Sequence, residues 1–204
     1  YINIMVYPFT DSQILGISTF PYSLKDFFLE GTQQVSASWI TLENLSFPYC
    51  ISINSSYIYE QSTDERINQN DAAITLAHEL GHYLGLRHVF SEGGTTSMCT
   101  DTDYCKDTPS YNRSEYEQWL NNLDKQNKYQ LKDLAKRYSC EKGEYEAHNI
   151  MDYAYCFYNE ITLEQRKRIR HILNYSPLIP GPKESRIDTR GVQGRLNLPI
   201  CIMK

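Results

Sequence analysis

Several things that would assign a sequence to a class at once are missing here. Its six cysteines include no Cys-x-x-Cys pair, so neither a zinc knuckle nor a thioredoxin-type redox site is suggested. No apolar run approaches the roughly 20 residues that a spanning helix needs, so nothing in this chain reads as a membrane span. Basic residues are not in excess: 20 Lys and Arg stand against 25 Asp and Glu, and a net charge of -5 argues against a nucleic-acid partner. There is no signal peptide and no internal repeat, and the chain opens on Tyr1 in what reads as mid-strand, the mark of a processed or excised chain. What remains is a 204-residue soluble globular chain, 41% hydrophobic and 22% charged, most simply one domain in which two lobes could flank a cleft. The cysteines (Cys50, Cys99, Cys105, Cys140, Cys156, Cys201) fit disulfides in an oxidising compartment: secreted, periplasmic or cell-surface.

Histidine is scarce as well, five in all, yet three fall in His78-Glu79-Leu80-Gly81-His82-Tyr83-Leu84-Gly85-Leu86-Arg87-His88. On a helix, His78 and His82 project from one face about 5–6 Å apart at Cβ, which suits two ligands of one zinc ion. Glu79 points to another side of the turn, where it reads as a general base toward a water on the open side of the metal. Gly85 can take the left-handed conformation that ends a helix, letting His88 return toward the other imidazoles. Three His ligands leave one position open, as a catalytic zinc requires. A short His-Glu-x-x-His match is weak by itself; the extension through Gly85 and His88 makes ordinary half-buried histidines the poorer explanation.

In chain order, residues 1–9 form a nearly continuous apolar run, the pattern of a strand buried on both faces. Residues 14–20, with Gly16 and Ser18, read as a sheet-edge strand, and an irregular stretch follows. Residues 50–59 alternate Ile51 and Ile53 with Ser52 and Asn54, a half-buried strand. After a polar loop over 61–70, Asn70 or Asp71 caps an amphipathic helix carrying Ala73, Leu76, Ala77, Leu80 and Leu84 on one face. Residues 91–109 form a polar loop whose carboxylates and hydroxyls would suit calcium, and which a solvated, disulfide-pinned loop explains equally well. Ser114 with Glu117 makes a capping box for one or two surface helices reaching about Tyr138; Thr162 with Gln165 makes a second, for a basic helix to about Leu173 with a solvated charged face, stopped by Ser176-Pro177. The tail from 180 offers only a strand over 198–203. His148 and His171 read as structural or surface residues. Asn44, Asn54 and Asn112 sit in glycosylation sequons.

With Asn149-Ile150-Met151-Asp152-Tyr153 downstream, the long motif resembles the metzincin clan of zinc metalloproteases. Within it, the Met-Asp-Tyr turn, the Leu86-Arg87-His88-Val89-Phe90 ending and the Asp107-Thr108-Pro109 loop resemble the pappalysin family, over residues 1 to about 176. The resemblance implies an α+β fold: a twisted, mostly parallel sheet with an antiparallel edge strand, an active-site helix, and an irregular C-terminal subdomain with a Met-turn at Met151 and a C-terminal helix. The expected division is an upper subdomain over 1–88, a lower one over 89–180 and a tail over 181–204. The resemblance further implies an endopeptidase in which zinc sits on His78, His82 and His88, Glu79 is the general base and Tyr153 stabilises the tetrahedral intermediate. A protein or peptide substrate would add as an extended strand to the edge at 14–20. Calcium is implied in the loop Asp103 to Thr108, and so are disulfides Cys99–Cys140 and Cys105–Cys156, leaving Cys50 and Cys201 as the remaining pair.

Three departures stand out. The strand and long backing helix expected before residue 1 have no counterpart, so an upstream fragment would complete the upper sheet. Ala154 and Tyr155 offer no acidic group after the Met-turn, so a preference for basic side chains does not carry over. The segment 110–138 is longer and more helical than the family pattern and could reshape the primed side of the cleft. The rival readings are a zinc-containing peptide-binding module without turnover and a hydrolase acting on a non-peptide bond.

Overall fold

The computed structural model describes residues 1–41, 43–44, 49–59, 61–91, 102–139, 141–181 and 183. Its centre is a small mixed sheet of β1 (Ile4–Tyr7), β2 (Gly16–Ser18) and a strand over Ile51–Asn54, which lies between the other two. β1 runs parallel to the middle strand, with Ile4 opposite Ile51, and β2 runs antiparallel to it, with Gly16 opposite Ile53. The sheet is therefore mixed rather than mostly parallel, and β2 is an antiparallel edge strand.

Burial reverses the expectation from the apolar pattern. All four residues of Ile51–Asn54 are buried, whereas Ile4 and Val6 of β1 are 49% and 46% exposed. Position in the sheet explains this: the middle strand has a neighbour on each side, and β1 has one. The polar residues of the middle strand tolerate burial because they are bonded. Asn54 Oδ1 accepts from the backbone N–H of Ser56, and its Nδ2 donates to the carbonyl of Ile14 at 2.9 Å. A fully buried asparagine so engaged is no acceptor for a glycan in the folded chain.

Between β2 and the middle strand, the stretch expected to be irregular forms a parallel pair, β3 (Tyr22–Leu24) with β4 (Gln33–Val35); the Ile51–Asn54 strand is then β5. The loop expected over 61–70 contains a 3-10 turn at Glu65–Asn70. α1 (Ala72–Tyr83) follows, and Leu76, Leu80 and Leu84 pack with Ile51, Ile53, Tyr83 and Ile172 into one core. α2 (Arg113–Asn121) is capped by Asn112, whose Oδ1 accepts from the N–H of Glu115; no Ser114–Glu117 box forms, because the helix begins two residues earlier than that box requires. After the short α3 (Leu131–Leu134), the segment expected to stay helical to Tyr138 turns into β6 (Lys136–Ser139), antiparallel to β7 (Gly143–Glu146).

The box on α4 (Leu163–Tyr175) is present as read: Thr162 Oγ1 accepts from the N–H of Gln165, and Gln165 Oε1 accepts from the N–H of Thr162 at 3.0 Å. Its charged run is not wholly solvated. Arg168 is 6% exposed and donates to the carbonyls of Gly85 and Glu30.

Cys50, Cys105 and Cys156 are buried free thiols, so the Cys105–Cys156 bridge is not formed. Each sulfur has its own surroundings: Cys156 Sγ lies 3.3 Å from the carbonyl of Asn149, while Cys105 sits near Asp103 and Arg168. Cys50 stays a thiol beside Ser52. With Cys50 free, the pair left for Cys50 and Cys201 is not formed either, whereas Cys99 and Cys140 lie outside the described residues, as does the strand expected over 198–203. Among the described residues, no helix is long and apolar enough to cross a membrane.

Candidate metal centre

α1 delivers the first two histidines and ends where the third needs it to. At its C-terminus the N–H of Gly85 bonds to the carbonyl of His82 and the N–H of Leu86 to that of Gly81, both at 2.9 Å, the two bonds of a Schellman turn. Gly85 supplies the left-handed residue with φ +89, and a Cβ there would come within 2.7 Å of Ile172 Cγ1. The chain then doubles back under the clamp of Arg168 and brings His88 beside His82, their Nε2 atoms 3.0 Å apart.

The second atoms of the rings decide what the first can do. His78 Nδ1 meets the carbonyl of Ile150 at 2.7 Å and His82 Nδ1 that of Leu86 at 2.9 Å. A carbonyl only accepts, so each Nδ1 carries the proton and each Nε2 presents a lone pair. His78 Nε2 is buried without a hydrogen-bond partner. Burial, with the neighbouring His82 and His88, holds His78 well below the usual range, at about 3, and so neutral. One ligand atom from each of the three rings lies within 4.8 Å of the others, and no other cluster of metal-ligating groups exists among the described residues. Two imidazoles oriented through Nδ1, a third beside them, and an orphaned buried nitrogen on His78 fit a metal ion.

Around this cluster the walls are aromatic. The His88 ring stacks on Phe90 at 4.7 Å, and the Tyr153 ring lies 4.5 Å from His88 and 5.4 Å from His78. Beneath lies Met151, fully buried against Gly81, where an added Cβ would collide with its sulfur. Glu79 is 8% exposed, and burial pushes its carboxyl up to about 7. It shares a cleft of about 390 Å³ with His78 and Tyr153, closed on one side by Gly16, whose missing Cβ would stand 2.6 Å from Glu79 Cγ.

The family model described as pregnancy-associated plasma protein-A, of peptidase M43, matches residues 39–174, more than half of the sequence. The chain belongs to the peptidase M43 family. Its relatives include proteins named extracellular metalloprotease from Arthroderma benhamiae and Trichophyton verrucosum, each 37% identical over 108 residues, covering 52% of this chain and 32% of the relative. A third, from Arthroderma otae, is 37% identical over the same length and covered to 33%. The chain thus spans about a third of the length of the curated relatives it matches. A solved structure, Tannerella forsythia mature mirolysin in complex with a cleaved peptide, is similar at 23% identity and a TM-score of 0.49, over 85% of this chain and 52% of that one.

Not all the expected residues of this M43 chain behave as metal ligands. Asp103 and Thr108 are together, but the carboxylate is occupied within its own loop: Oδ2 accepts from Thr108 Oγ1 at 2.6 Å and Oδ1 from the N–H of Cys105 at 2.9 Å. The pair staples a turn, and calcium finds no support there. His148 bonds to Asn159 and His171 to the carbonyl of Phe27, structural roles as read.

Four residues that hold this centre were given no such role by the sequence. Arg137, 1% exposed, pairs with Asp152 at 3.5 Å and donates from Nη2 to the carbonyls of Tyr153 and Ala154. Asp152 also accepts from Tyr111 Oη at 2.6 Å and from the N–H of Tyr153 at 2.7 Å. Burial raises the Asp152 carboxyl, while the Arg137 guanidinium and the two hydrogen bonds from Tyr111 and the N–H of Tyr153 oppose that. Gln165 forms a reciprocal amide pair with Asn149, whose Oδ1 also accepts from the N–H of Met151. Local signals existed for Gln165 in its capping box and for Asn149 and Asp152 beside Met151, but the partners that give them these roles lie far along the chain.

Proposed function

We propose that this chain is the catalytic part of a zinc-dependent endopeptidase. The single observation that carries the reading is the convergence of three imidazoles, one ligand atom of each within 4.8 Å of the others, on a cleft that also holds a nearly buried carboxylate. His78, His82 and His88 would hold the ion, their all-nitrogen donor set suiting zinc; when bound it acidifies a water and polarises the scissile carbonyl. Glu79 takes the water's proton on its carboxylate and passes it to the leaving amine. Tyr153, over His88 at the mouth of the cleft, donates its hydroxyl hydrogen to the developing oxyanion. The backbone of a protein or peptide substrate lies along the outer edge of β2 as an added strand.

In the same reading Met151 is the methionine of a Met-turn, residues 1–88 form the upper subdomain and 89–180 the lower one ending in α4, with 181–204 as a tail. Secretion is proposed because the relatives are named as extracellular.

The test is incubation of the zinc-loaded chain with a diverse peptide mixture and sequencing of new termini by mass spectrometry, alongside Glu79→Gln and a chelated sample. New termini in the active sample alone are expected. Intact peptides in every sample, with zinc tightly held, would remove the endopeptidase reading.

A further inference from the structure

We propose that Arg113 is a positioning residue for the peptide-bond chemistry: its guanidinium, presented by α2, holds the Tyr153 ring against His88 so that the phenol meets the developing oxyanion. This rests on the peptidase reading and adds to its machinery a residue outside both the zinc motif and the Met-turn.

The need for such a residue follows from how Tyr153 is held. Its backbone is fixed from beneath: the N–H donates to Asp152 Oδ1 at 2.7 Å, and the carbonyl accepts from Arg137 Nη2 at 3.2 Å. The residue itself is 37% exposed at the mouth of the cleft. A change of rotamer would swing its hydroxyl far from the metal centre, whereas an oxyanion donor has to be placed to within about 0.5 Å.

The neighbours of the ring decide where it rests. His88 meets it at 4.5 Å in a T-shaped contact, Phe90 at 5.0 Å and His78 at 5.4 Å. α2 adds a charged contact. Arg113 lines the same cleft as Glu79, and its Cζ lies over the Tyr153 ring at 4.5 Å from the centroid and over the Phe90 ring at 5.0 Å. A cation is attracted to the face of a ring by its quadrupole, and one guanidinium over two rings fixes each relative to the other. Glu117 aims the group, its Oε1 accepting from Arg113 Nε at 2.6 Å; an ion pair made through Nε engages the edge of the guanidinium and leaves its plane to stack.

Local physics does not account for an arginine at this position. Arg113 is the first residue of α2, where the positive end of the helix dipole disfavours a cation, and an arginine four residues before a glutamate is the weaker order of such a pair. A residue that works against its own helix is explained by what it touches outside it, here Tyr153 and Phe90. The helix that carries it is anchored: Tyr116 is buried and donates from Oη to the carbonyl of Leu134 at 2.6 Å. α2 also belongs to the segment over 110–138 that is longer and more helical than the family pattern, so the contact is a feature of this chain.

The experiment uses zinc-loaded chains carrying Arg113→Met, Arg113→Lys or Glu117→Gln, and Arg113→Met again in a Tyr153→Phe background. It measures kcat and KM on peptides, Tm, and calorimetric affinity for a phosphinic peptide, whose tetrahedral phosphinate imitates the intermediate. Arg113→Met is expected to lower kcat and phosphinic-peptide affinity by about three- to tenfold with KM within about twofold, the pattern of an interaction realised in the transition state. Arg113→Lys and Glu117→Gln should lose less. In the Tyr153→Phe background Arg113→Met should change neither readout, because the hydroxyl it positions is gone. Tm should hold within about 2 °C, since α2 loses a weak surface pair together with a cation at its positive end. No loss, a loss confined to KM, a loss that tracks a fall in Tm, or one undiminished in the Tyr153→Phe background would overturn the role of Arg113 while leaving the peptidase standing. The same coupling seen in phosphinic-peptide binding, with no peptide cut, would sustain that role and sink the peptidase. A parent chain that neither binds the phosphinic peptide nor cuts would overturn both.

Discussion

Glu79 is held by what is absent from its neighbour. Gly16 leaves just the space that the Glu79 side chain occupies, so Gly16→Ala should push the carboxylate aside and lower kcat by about 10²-fold or more, with metal content unchanged by atomic absorption. Glu79→Gln should cost about 10²–10⁴-fold in kcat, again with the metal retained. The metal-free chain offers a test by stability. Its Glu79 carboxyl is raised from 4.5 to about 7, so the stability attached to the protonated form is full below pH 4.5 and is lost as pH rises through 7. Glutamine cannot ionise, so the stability of Glu79→Gln relative to the parent should grow by about 3 kcal/mol between pH 4.5 and pH 8 in urea titrations of the metal-free proteins. The parent gaining on the variant over that range would show that Glu79 is not desolvated as described. At this scale the sequence was most legible where the site is local: His78, Glu79, His82 and His88 share one helix and one turn. Arg137 was silent because the Asp152 carboxylate and the Tyr153 carbonyl that it holds lie distant in the chain.

The elements that fix the centre lie below it and behind it. Arg137 of β6 and Asp152 form a buried pair that holds the loop carrying Tyr153, and removing one partner of such a pair leaves a buried charge uncompensated. Arg137→Leu should destabilise the chain by about 3–5 kcal/mol in denaturant titrations, and Arg137→Leu with Asp152→Asn should recover part of that. On α4, Thr162→Ala should cost about 1 kcal/mol through the lost cap, whereas Gln165→Ala should cost more, because it also releases Asn149 beneath Met151. A smaller effect for Gln165→Ala than for Thr162→Ala would contradict the double role. α1 and α4 could be read from periodicity and caps, since both signals are local. The strands could not: residues 1–9 are more apolar than residues 51–54, yet the latter are buried, because burial in a sheet follows strand order, and order is set by partners far along the chain. β6 was masked by the helical composition around it, its identity coming from pairing with β7.

Over the whole molecule, α1 and its turn separate two cores, one under the sheet with Ile51 and Ile172, the other around Leu86, Phe90, Tyr111 and Met151. A metal ion held by His78, His82 and His88 would tie α1 to the chain beyond Gly85 and thereby stabilise both. Chelation should lower Tm, and added zinc should raise it in a concentration-dependent way by RT ln(1 + [L]/Kd), about 2.7 kcal/mol at a hundredfold excess over Kd. A Tm indifferent to zinc would mean that no ion is held. The α+β class and the cleft were legible in the sequence. The Cys105–Cys156 bridge that the family resemblance implied does not form, because the two buried thiols have different surroundings in this fold.

The grip of α4 on both halves of the centre also bears on biosynthesis. Arg168 clamps the Gly85 turn and Gln165 clamps Asn149, and both residues are translated long after the histidines they organise. A nascent chain that has emerged only as far as β7 carries His78, His82 and His88 but neither clamp, so this geometry is completed only once α4 has emerged. Until α4 docks, a partly made chain lacks the contacts that fix the Gly85 turn and Asn149.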